Sequence, residues 1–511
     1  MKSLKKEIGI VTLVCISVGS MLGSGIFALP AVMGAVSGPS LILAILISSI
    51  ITCFLAMSYV ELGATFPLTG GPYVLPRLAL GDFGGFLIGW SYCFYLFIST
   101  AAILDIFIVY LGFYIPALAV GGNLTTLGLS IAVAVLWLLT LINVLGVKWG
   151  GLYSIVTTFG KLLPLFAFGI ISLFFFKEEN FIPFMPFGFS GVTIAVTLFF
   201  WAFTGFETVV VPTGEVKKPE ITIPIAMVIS LGVTIFAYLF LATTFVGMID
   251  WQGLNIKAHD WQAIGNLQSS FSSVAAGLKL PWLAALATFG AIMATSGSGG
   301  SWVLVQGRMP FAMANDGLFF KYLSQIHPIY KTPSASIIFA SILTTVLLIA
   351  IPSFPSMAMT ASITAVLPYA AAVIAVPILR KTKPDVVRPF KLPMSFIISP
   401  ISFILATFLI YWATWPWTLV VTILTLSGYI PYAFIKDRKY EFFRNCWIIA
   451  YLCGVVVLSY LGDPNFSFNN FTKYVPLGIL KMPYDLIALA LFATAIYTWA
   501  YFANCRREVS S

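Results

Sequence analysis

Long apolar runs recur along almost the whole chain and determine the solvent in which it folds. Many are about 18 to 25 residues long, which is the length that a helix needs to cross a bilayer. Lipid offers no partners for free backbone N–H and C=O groups, so a run of this length crosses as a helix. With 60% hydrophobic and only 9% charged residues, no water-soluble fold can hide so much apolar surface. We therefore predict an all-α polytopic membrane protein.

Polar breaks between the apolar runs predict fourteen transmembrane helices, with twelve as the minimum. The least marked division is the Trp415-Pro416-Trp417 joint between two short runs. The predicted spans are 9–36, 39–60, 84–115, 125–146, 152–176, 190–212, 222–249, 280–307, 334–352, 357–379, 395–413, 417–435, 445–461 and 483–504.

The basic residues predict the orientation. If the N-terminus is cytoplasmic, 21 of the 27 basic residues fall in cytoplasmic segments, five in external loops and one, Lys161, within a span. This distribution follows the positive-inside rule, so we expect a multi-pass protein of the cell (inner) membrane with both termini cytoplasmic. Because these residues are spread along the chain rather than clustered, the net charge of +9 does not indicate a nucleic-acid partner. The first run has no small-residue cleavage site and is predicted to be a retained helix.

Cysteine and histidine spacing indicates neither a metal site nor a cofactor, and no nucleophile–base pair indicates an enzyme. The two histidines lie far apart in predicted loops, and the cysteines lie in or at the end of apolar runs: His259, His327, Cys15, Cys53, Cys93, Cys446, Cys453 and Cys505.

Two predicted spans are interrupted by residues that helices in lipid avoid. The first contains Gly23-Ser24-Gly25, and the sixth contains Thr204-Gly205 followed by Glu207. Glycine in a helix interior costs about 1 kcal/mol, and unpaired backbone groups in lipid cost several more. A single glycine cluster would indicate close helix packing. Breaks at corresponding places in two five-span halves instead indicate an inverted-repeat transporter with its site at the repeat interface.

Motifs along residues 8–435 resemble the amino acid–polyamine–organocation superfamily, and within it the basic amino acid and polyamine antiporters that include arginine/agmatine exchangers. They are Gly23-Ser24-Gly25-Ile26-Phe27 with Leu29-Pro30-Ala31, Gly70-Gly71-Pro72-Tyr73, Trp201-Ala202-Phe203-Thr204-Gly205-Phe206-Glu207, Gly214-Glu215-Val216-Lys217-Lys218-Pro219, Gly299-Gly300-Ser301-Trp302, Asn315-Asp316-Gly317-Leu318-Phe319 and Pro368-Tyr369.

This resemblance implies a LeuT-like fold in which two five-helix inverted repeats, at about 9–176 and 190–379, are followed by peripheral helices at 395–435. The region 436–511 departs from the usual twelve helices, since it adds a two-helix membrane segment and a short cytoplasmic tail.

The resemblance also implies a substrate site at the two breaks. The backbone around Ser24 and Gly25 would receive a carboxylate, carbonyls near Met21 and from Trp201 to Thr204 would hold an amino group, and helix dipoles favour the same arrangement. Aromatic rings of Trp201 and Trp302 would cover or divide the pathway, with simple packing as the alternative. The candidate substrate-binding residues are Met21, Gly23, Ser24, Gly25, Ile26, Trp201, Ala202, Phe203, Thr204, Gly205 and Trp302.

Gating and proton coupling are assigned to four residues: Tyr92, Lys161, Glu207 and Tyr369. An ionised Glu207 is costly in the membrane, so its protonation is predicted to gate the site. The resemblance adds Tyr92 and Tyr369 as its hydroxyl partners, and gives Lys161 the place that a sodium ion takes in other relatives. The alternatives are a structural hydrogen bond for Glu207 and snorkelling for Lys161.

Three further acids have no assigned role. Three alternatives are open for Asp105 in the third span: it borders a water-filled space, it pairs with Lys161, or it makes a hydrogen bond between packed helices. Glu61 and Glu215 lie at predicted cytoplasmic ends of spans, where pairing with Lys217 or Lys218 would order a loop or close a gate.

Together these features predict secondary active transport of an amino acid by alternating access, either by proton symport or by exchange for a related amine. Thr100, Ala361 and Ser362 lie where the family lines its side-chain pocket, and Glu207 is the only acid near it. Neutral amino acids, arginine and polyamines therefore all remain open as cargo. The expected partners are this solute, protons and lipid, with a homodimer as one option for assembly. A channel is the alternative of a different class, although no carbonyl-lined filter is evident.

Overall fold

The computed structural model describes residues 8–68, 70–145, 150–213, 216–267, 269–330, 332–351, 353–413, 415–435, 439–464 and 475–505. Glu215 and the basic residues at both chain ends lie outside the described residues. The described chain is almost entirely helical, as predicted. Its two-stranded hairpin pairs β1 (Ala119–Val120) with β2 (Asn123–Leu124) in antiparallel register.

The α-helices are α1 (Ile10–Met21), α2 (Gly25–Ser37), α3 (Leu41–Thr65), α4 (Gly71–Gly112), α5 (Thr126–Leu145), α6 (Gly150–Ser172), α7 (Gly188–Phe203), α8 (Pro219–Gly247), α9 (Trp261–Ile264), α10 (Ser270–Gly277), α11 (Pro281–Asn315), α12 (Ser334–Ala350), α13 (Phe354–Thr382), α14 (Ser395–Trp412), α15 (Trp417–Leu426), α16 (Tyr429–Ile435), α17 (Lys439–Asn445), α18 (Trp447–Leu461) and α19 (Tyr484–Cys505). Short 3₁₀ turns occupy Gly38–Ser40, Pro116–Leu118, Leu173–Phe175, Glu178–Phe181, Phe206–Val210 and Lys321–Ser324.

Each predicted span coincides with one helix or with consecutive helices. Among the described residues, ten helical segments are long and apolar enough to cross a membrane, and one of them, Ile10–Thr65, contains the first two predicted spans. Shorter apolar helices lie at Gly160–Phe175 and Ser334–Ala350. The polytopic all-α fold is therefore confirmed, whereas the division into two repeats stays a prediction.

The third span begins earlier than predicted. Helix α4 starts at Gly71 rather than near residue 84, and Gly81 interrupts it with φ 79° and ψ −169°. Residues 71–80 therefore form a short helix set at an angle to the rest. The early start was missed because this segment contains Pro76 and Arg77 and is less apolar than the run that follows.

Burial separates central helices from peripheral ones. In the most apolar stretch of α13, 94% of the residues are buried within the protein, whereas in that of α19 22% are buried. Helices α4 and α13 pack against each other at the centre, and α19 packs on α14, α18 and α13. The additional C-terminal helices thus cover the outer side of the bundle, away from the interrupted helices.

Candidate functional site

The two interruptions lie against each other. Helix α1 ends at Met21 and α2 begins at Gly25, while α7 ends at Phe203 and Gly205 adopts φ 107°. A Cβ at Gly205 would be 3.1 Å from Ser20 Cβ, in a backbone conformation that other residues rarely adopt. A Cβ at Gly25 would be 2.8 Å from Ala202 Cβ. Glycine is therefore required at both breaks for close backbone approach.

A small cavity of about 20 Å³ is lined by residues of both breaks. This volume holds roughly one water molecule, so bound cargo requires the walls to move. Its lining contains eight predicted substrate-binding residues: Met21, Gly23, Ser24, Gly25, Trp201, Ala202, Thr204 and Trp302. Ile26, Phe203 and Gly205 do not line it, although all three lie at the breaks. The lining residues that the sequence did not indicate are Ser20, Ile103 and Ser298.

Polar groups at this cavity suit the two ends of a zwitterion. The Gly25 and Ile26 amides precede the first backbone hydrogen bonds of α2, which run from the Phe27 and Ala28 amides to the Ser24 carbonyl, and this positive helix end favours a carboxylate. The Ser24 hydroxyl is buried and makes no hydrogen bond within the described part of the chain. At the opposite break, the Trp201 carbonyl accepts a 2.6 Å hydrogen bond from the Thr204 hydroxyl. It also accepts from the Thr204 amide at 3.1 Å, so both of its lone pairs are engaged, and the negative C-terminal end of α7 favours an ammonium group there through its dipole.

Tyr238 in α8 connects the two broken helices and was not identified from the sequence. Its hydroxyl lies 2.5 Å from the Met21 carbonyl oxygen and 2.7 Å from the Ala202 carbonyl oxygen, so one proton is shared between carbonyls of both breaks. The ring packs between Phe199 and Phe203. Tyr238 lies inside an ordinary apolar run with no motif around it, so no local signal could have revealed this contact.

We expect Tyr238→Phe to lower the initial rate of transport about tenfold, because a buried carbonyl left without its donor costs about 1–3 kcal/mol. Tyr110→Phe is the matched control, since Tyr110 is equally buried and its hydroxyl has no partner among the described residues. Rates in reconstituted vesicles check the prediction, and equal effects of the two variants would contradict it.

A larger cavity of about 290 Å³ adjoins the small one. The two share Ser20, Ser298 and Trp302, which form the partition between them. The Trp302 ring is held edge-on against Tyr95, with ring centroids 5.5 Å apart. The larger cavity lies along the C-terminal half of α1, which is the part of the first span before its break, and along the C-terminal half of α11.

Glu207 is 1% exposed and lines the larger cavity. Its carboxylate accepts hydrogen bonds from the Tyr92 hydroxyl at 3.1 Å and from the Gly205 amide at 2.9 Å. The predicted contact with Tyr92 is therefore present. The Tyr369 hydroxyl lies near the same carboxylate, and its role as a second hydroxyl partner of Glu207 stays a prediction. Its ring packs on Phe206, 4.9 Å away.

Lys161 is 4% exposed, and its ammonium donates to the Gly19 carbonyl at 2.6 Å. It therefore lies beside the first span and lines the same cavity as Glu207. Asp105 does not pair with Lys161: its Oδ2 is buried and has no hydrogen-bond partner among the described residues.

Glu61 pairs with different residues from those predicted. Its carboxylate accepts from Arg380 at 2.6 Å and from the Leu392 amide at 2.7 Å, rather than from Lys217 or Lys218. The expectation based on the lysines was wrong because it relied on predicted loops, whereas the observed partners lie at the end of α13 and in the segment after it.

Known proteins are similar to this chain in sequence over most or nearly all of its length. The glutamate/serine transporter AimA of Bacillus subtilis (strain 168) is 29% identical over 99% of this chain and 96% of its own length. The aspartate-proton symporter of the same organism is 29% identical over 98% and 97%, and its branched-chain amino acid permease BcaP is 28% identical over 86% and 95%.

The first two relatives extend over nearly the whole chain, so these matches are not confined to the region before residue 436. The family profile described as amino acid permease matches residues 8–435, the region that carries both breaks and both cavities. This result confirms the resemblance drawn from the motifs. The chain belongs to the amino acid permease family.

Proposed function

We propose that this protein moves neutral or acidic amino acids across the membrane by alternating access, with protons as the coupling ion. The observation that carries the proposal is the pair of facing helix breaks, which border a small cavity lined by residues of both. Such breaks expose backbone donors on one side and acceptors on the other, which is the arrangement that an amino acid's carboxylate and ammonium require.

The two cavities support an inward-facing state. The larger cavity borders the part of the first span that precedes its break, the side that we predict to be cytoplasmic from the distribution of basic residues. At the small cavity, Trp201 packs edge-on against Phe354 at 5.3 Å, and its indole N–H donates to Ser99 at 3.4 Å. Movement of Trp302 would connect the two cavities. Movement around Trp201 would open the small cavity on the side away from the larger one.

The charges near the cavities favour neutral or acidic cargo over arginine or polyamines. Glu207 is the only acid among the described lining residues, and its carboxylate already accepts two hydrogen bonds. The lining cations are Lys161 and Arg308. A cationic side chain would meet net positive charge here without a free carboxylate to offset it. The names of two relatives agree, since they specify glutamate, serine and aspartate.

Glu207 and Lys161 support protons rather than sodium as the coupling ion. Both are buried ionisable groups that line the larger cavity, which adjoins the breaks. A change in the protonation of either group therefore changes the charge beside the substrate site. The Lys161 ammonium occupies the position beside the Gly19 carbonyl with its own charge, leaving no need for a metal cation there.

Uptake by purified protein in vesicles tests this proposal. With an acidic exterior, we expect labelled serine or glutamate to accumulate above its external concentration, without stimulation by sodium. Competition by all twenty amino acids and by common polyamines then identifies the cargo, and arginine and polyamines should compete least. A strict requirement for internal substrate would indicate exchange instead of symport, and flux that only relaxes a gradient would indicate a channel.

A further inference from the structure

Arg308 lies on the face of α11 that borders the larger cavity. The cavity-lining residues Ser298, Trp302, Val305 and Arg308 follow one another at spacings of four, three and three, so they share one side of the helix. Arg308 is the last of them toward the helix C-terminus and is exposed. Its guanidinium therefore lies at the mouth of the cavity, where solutes enter or leave it.

Arg308 has no hydrogen-bond or ion-pair partner among the described residues, which distinguishes it from other arginines of the described chain. Arg77 pairs with Asp82 and Asp316, and Arg380 pairs with Glu61. Arg388 and Arg444 donate to backbone carbonyls. The structural demands that explain those residues do not explain Arg308. Its donors remain free for a solute in the cavity.

The position of Arg308 separates it from the helix breaks. Ten residues of α-helix span roughly 15 Å, so Arg308 lies about that far along α11 from Ser298 in the partition. Trp302 lies between them. A cargo molecule whose carboxylate contacts the breaks cannot also contact Arg308 with that carboxylate. Any contact with Arg308 therefore belongs to another stage of transport.

We propose that Arg308 forms a second carboxylate-binding subsite at the cytoplasmic mouth, which holds the amino acid as it enters or leaves on that side. This inference rests on the proposed function, because it assumes an amino acid as cargo. Guanidinium matches a carboxylate with two parallel hydrogen bonds, which a lysine cannot reproduce. Lys161 deeper in the same cavity adds positive potential that draws the carboxylate inward.

Membrane vesicles of opposite orientation measure the two faces separately, with equal pH on both sides and exchange of labelled substrate. We expect Arg308→Gln to raise the half-saturating concentration on the cytoplasmic face about tenfold, as loss of a charged hydrogen bond does, and to change it less than about twofold on the external face. Arg308→Lys should give an intermediate increase. Lys321→Gln is the matched control, since it removes an exposed cation outside the cavity. It should leave the half-saturating concentration unchanged on both faces.

The distribution of effects decides the outcome. Increases of equal size on both faces, or an equal increase in Lys321→Gln, would overturn the subsite, because a general loss of folding or of surface charge would then explain the result. If the unmodified protein exchanges amino acids and Arg308→Gln has an unchanged half-saturating concentration on both faces, this inference alone fails. If the unmodified protein moves no amino acid in either orientation, the proposed function itself fails.

Discussion

Replacing Lys161 with methionine is expected to reduce amino acid uptake to about one to ten per cent of the unmodified rate. The ammonium donates to the Gly19 carbonyl at 2.6 Å, in the last turn of α1, where the helix dipole is negative. Loss of a hydrogen bond from a charged donor costs about 1.5–3 kcal/mol, which corresponds to a factor of roughly 10 to 150 in a population or a rate. Methionine has a similar length, so it removes the charge without leaving a large void.

Initial uptake rates in vesicles, normalised to the amount of folded protein, measure this effect. Lys257→Met is the control, because Lys257 is an exposed loop lysine that lines neither cavity. Rates near normal in Lys161→Met would assign Lys161 to packing or snorkelling. Stimulation of the unmodified protein by sodium would also contradict the role proposed for this lysine.

The spans and the two breaks could be predicted because their signals are local. Apolar runs have the length of a membrane-crossing helix, and Gly23-Ser24-Gly25 and Thr204-Gly205 stand out within them. The structure brings these two segments together, with Ala202 in contact with the Gly25 backbone. The glycines at the two breaks already indicated this close approach, because glycine alone has no side chain to prevent it.

Contacts between distant helices could not be predicted in the same way. Tyr238 and Arg308 lie in runs where neither spacing nor composition marks them, and their importance arises only from what packs around them. The same limit explains the error at Glu61, whose partner Arg380 is 319 residues away in sequence. The sequence also carried no indication of cavity size, because the volume at the breaks depends on where the Trp302 side chain rests.

Glu207→Gln is expected to abolish proton-driven accumulation while exchange between internal and external substrate continues. Glutamine keeps the shape of the side chain, but its amide neither releases nor binds a proton at the pH values at which transport is measured. Its amide oxygen can accept from either the Tyr92 hydroxyl or the Gly205 amide, while its NH₂ group faces the other donor. One lost hydrogen bond costs about 1 kcal/mol, so exchange should slow only about fivefold.

Accumulation of labelled substrate under an acidic exterior separates these two effects. The unmodified protein should concentrate substrate more strongly as the external pH falls, because proton binding accompanies inward transport. In Glu207→Gln the ratio of internal to external substrate should stay at one at every pH. Glu178→Gln, which removes an exposed acid outside both cavities, should behave as the unmodified protein does. A pH-dependent gradient that persists in Glu207→Gln would transfer the coupling role to another group, with Lys161 on the same cavity as the next to test.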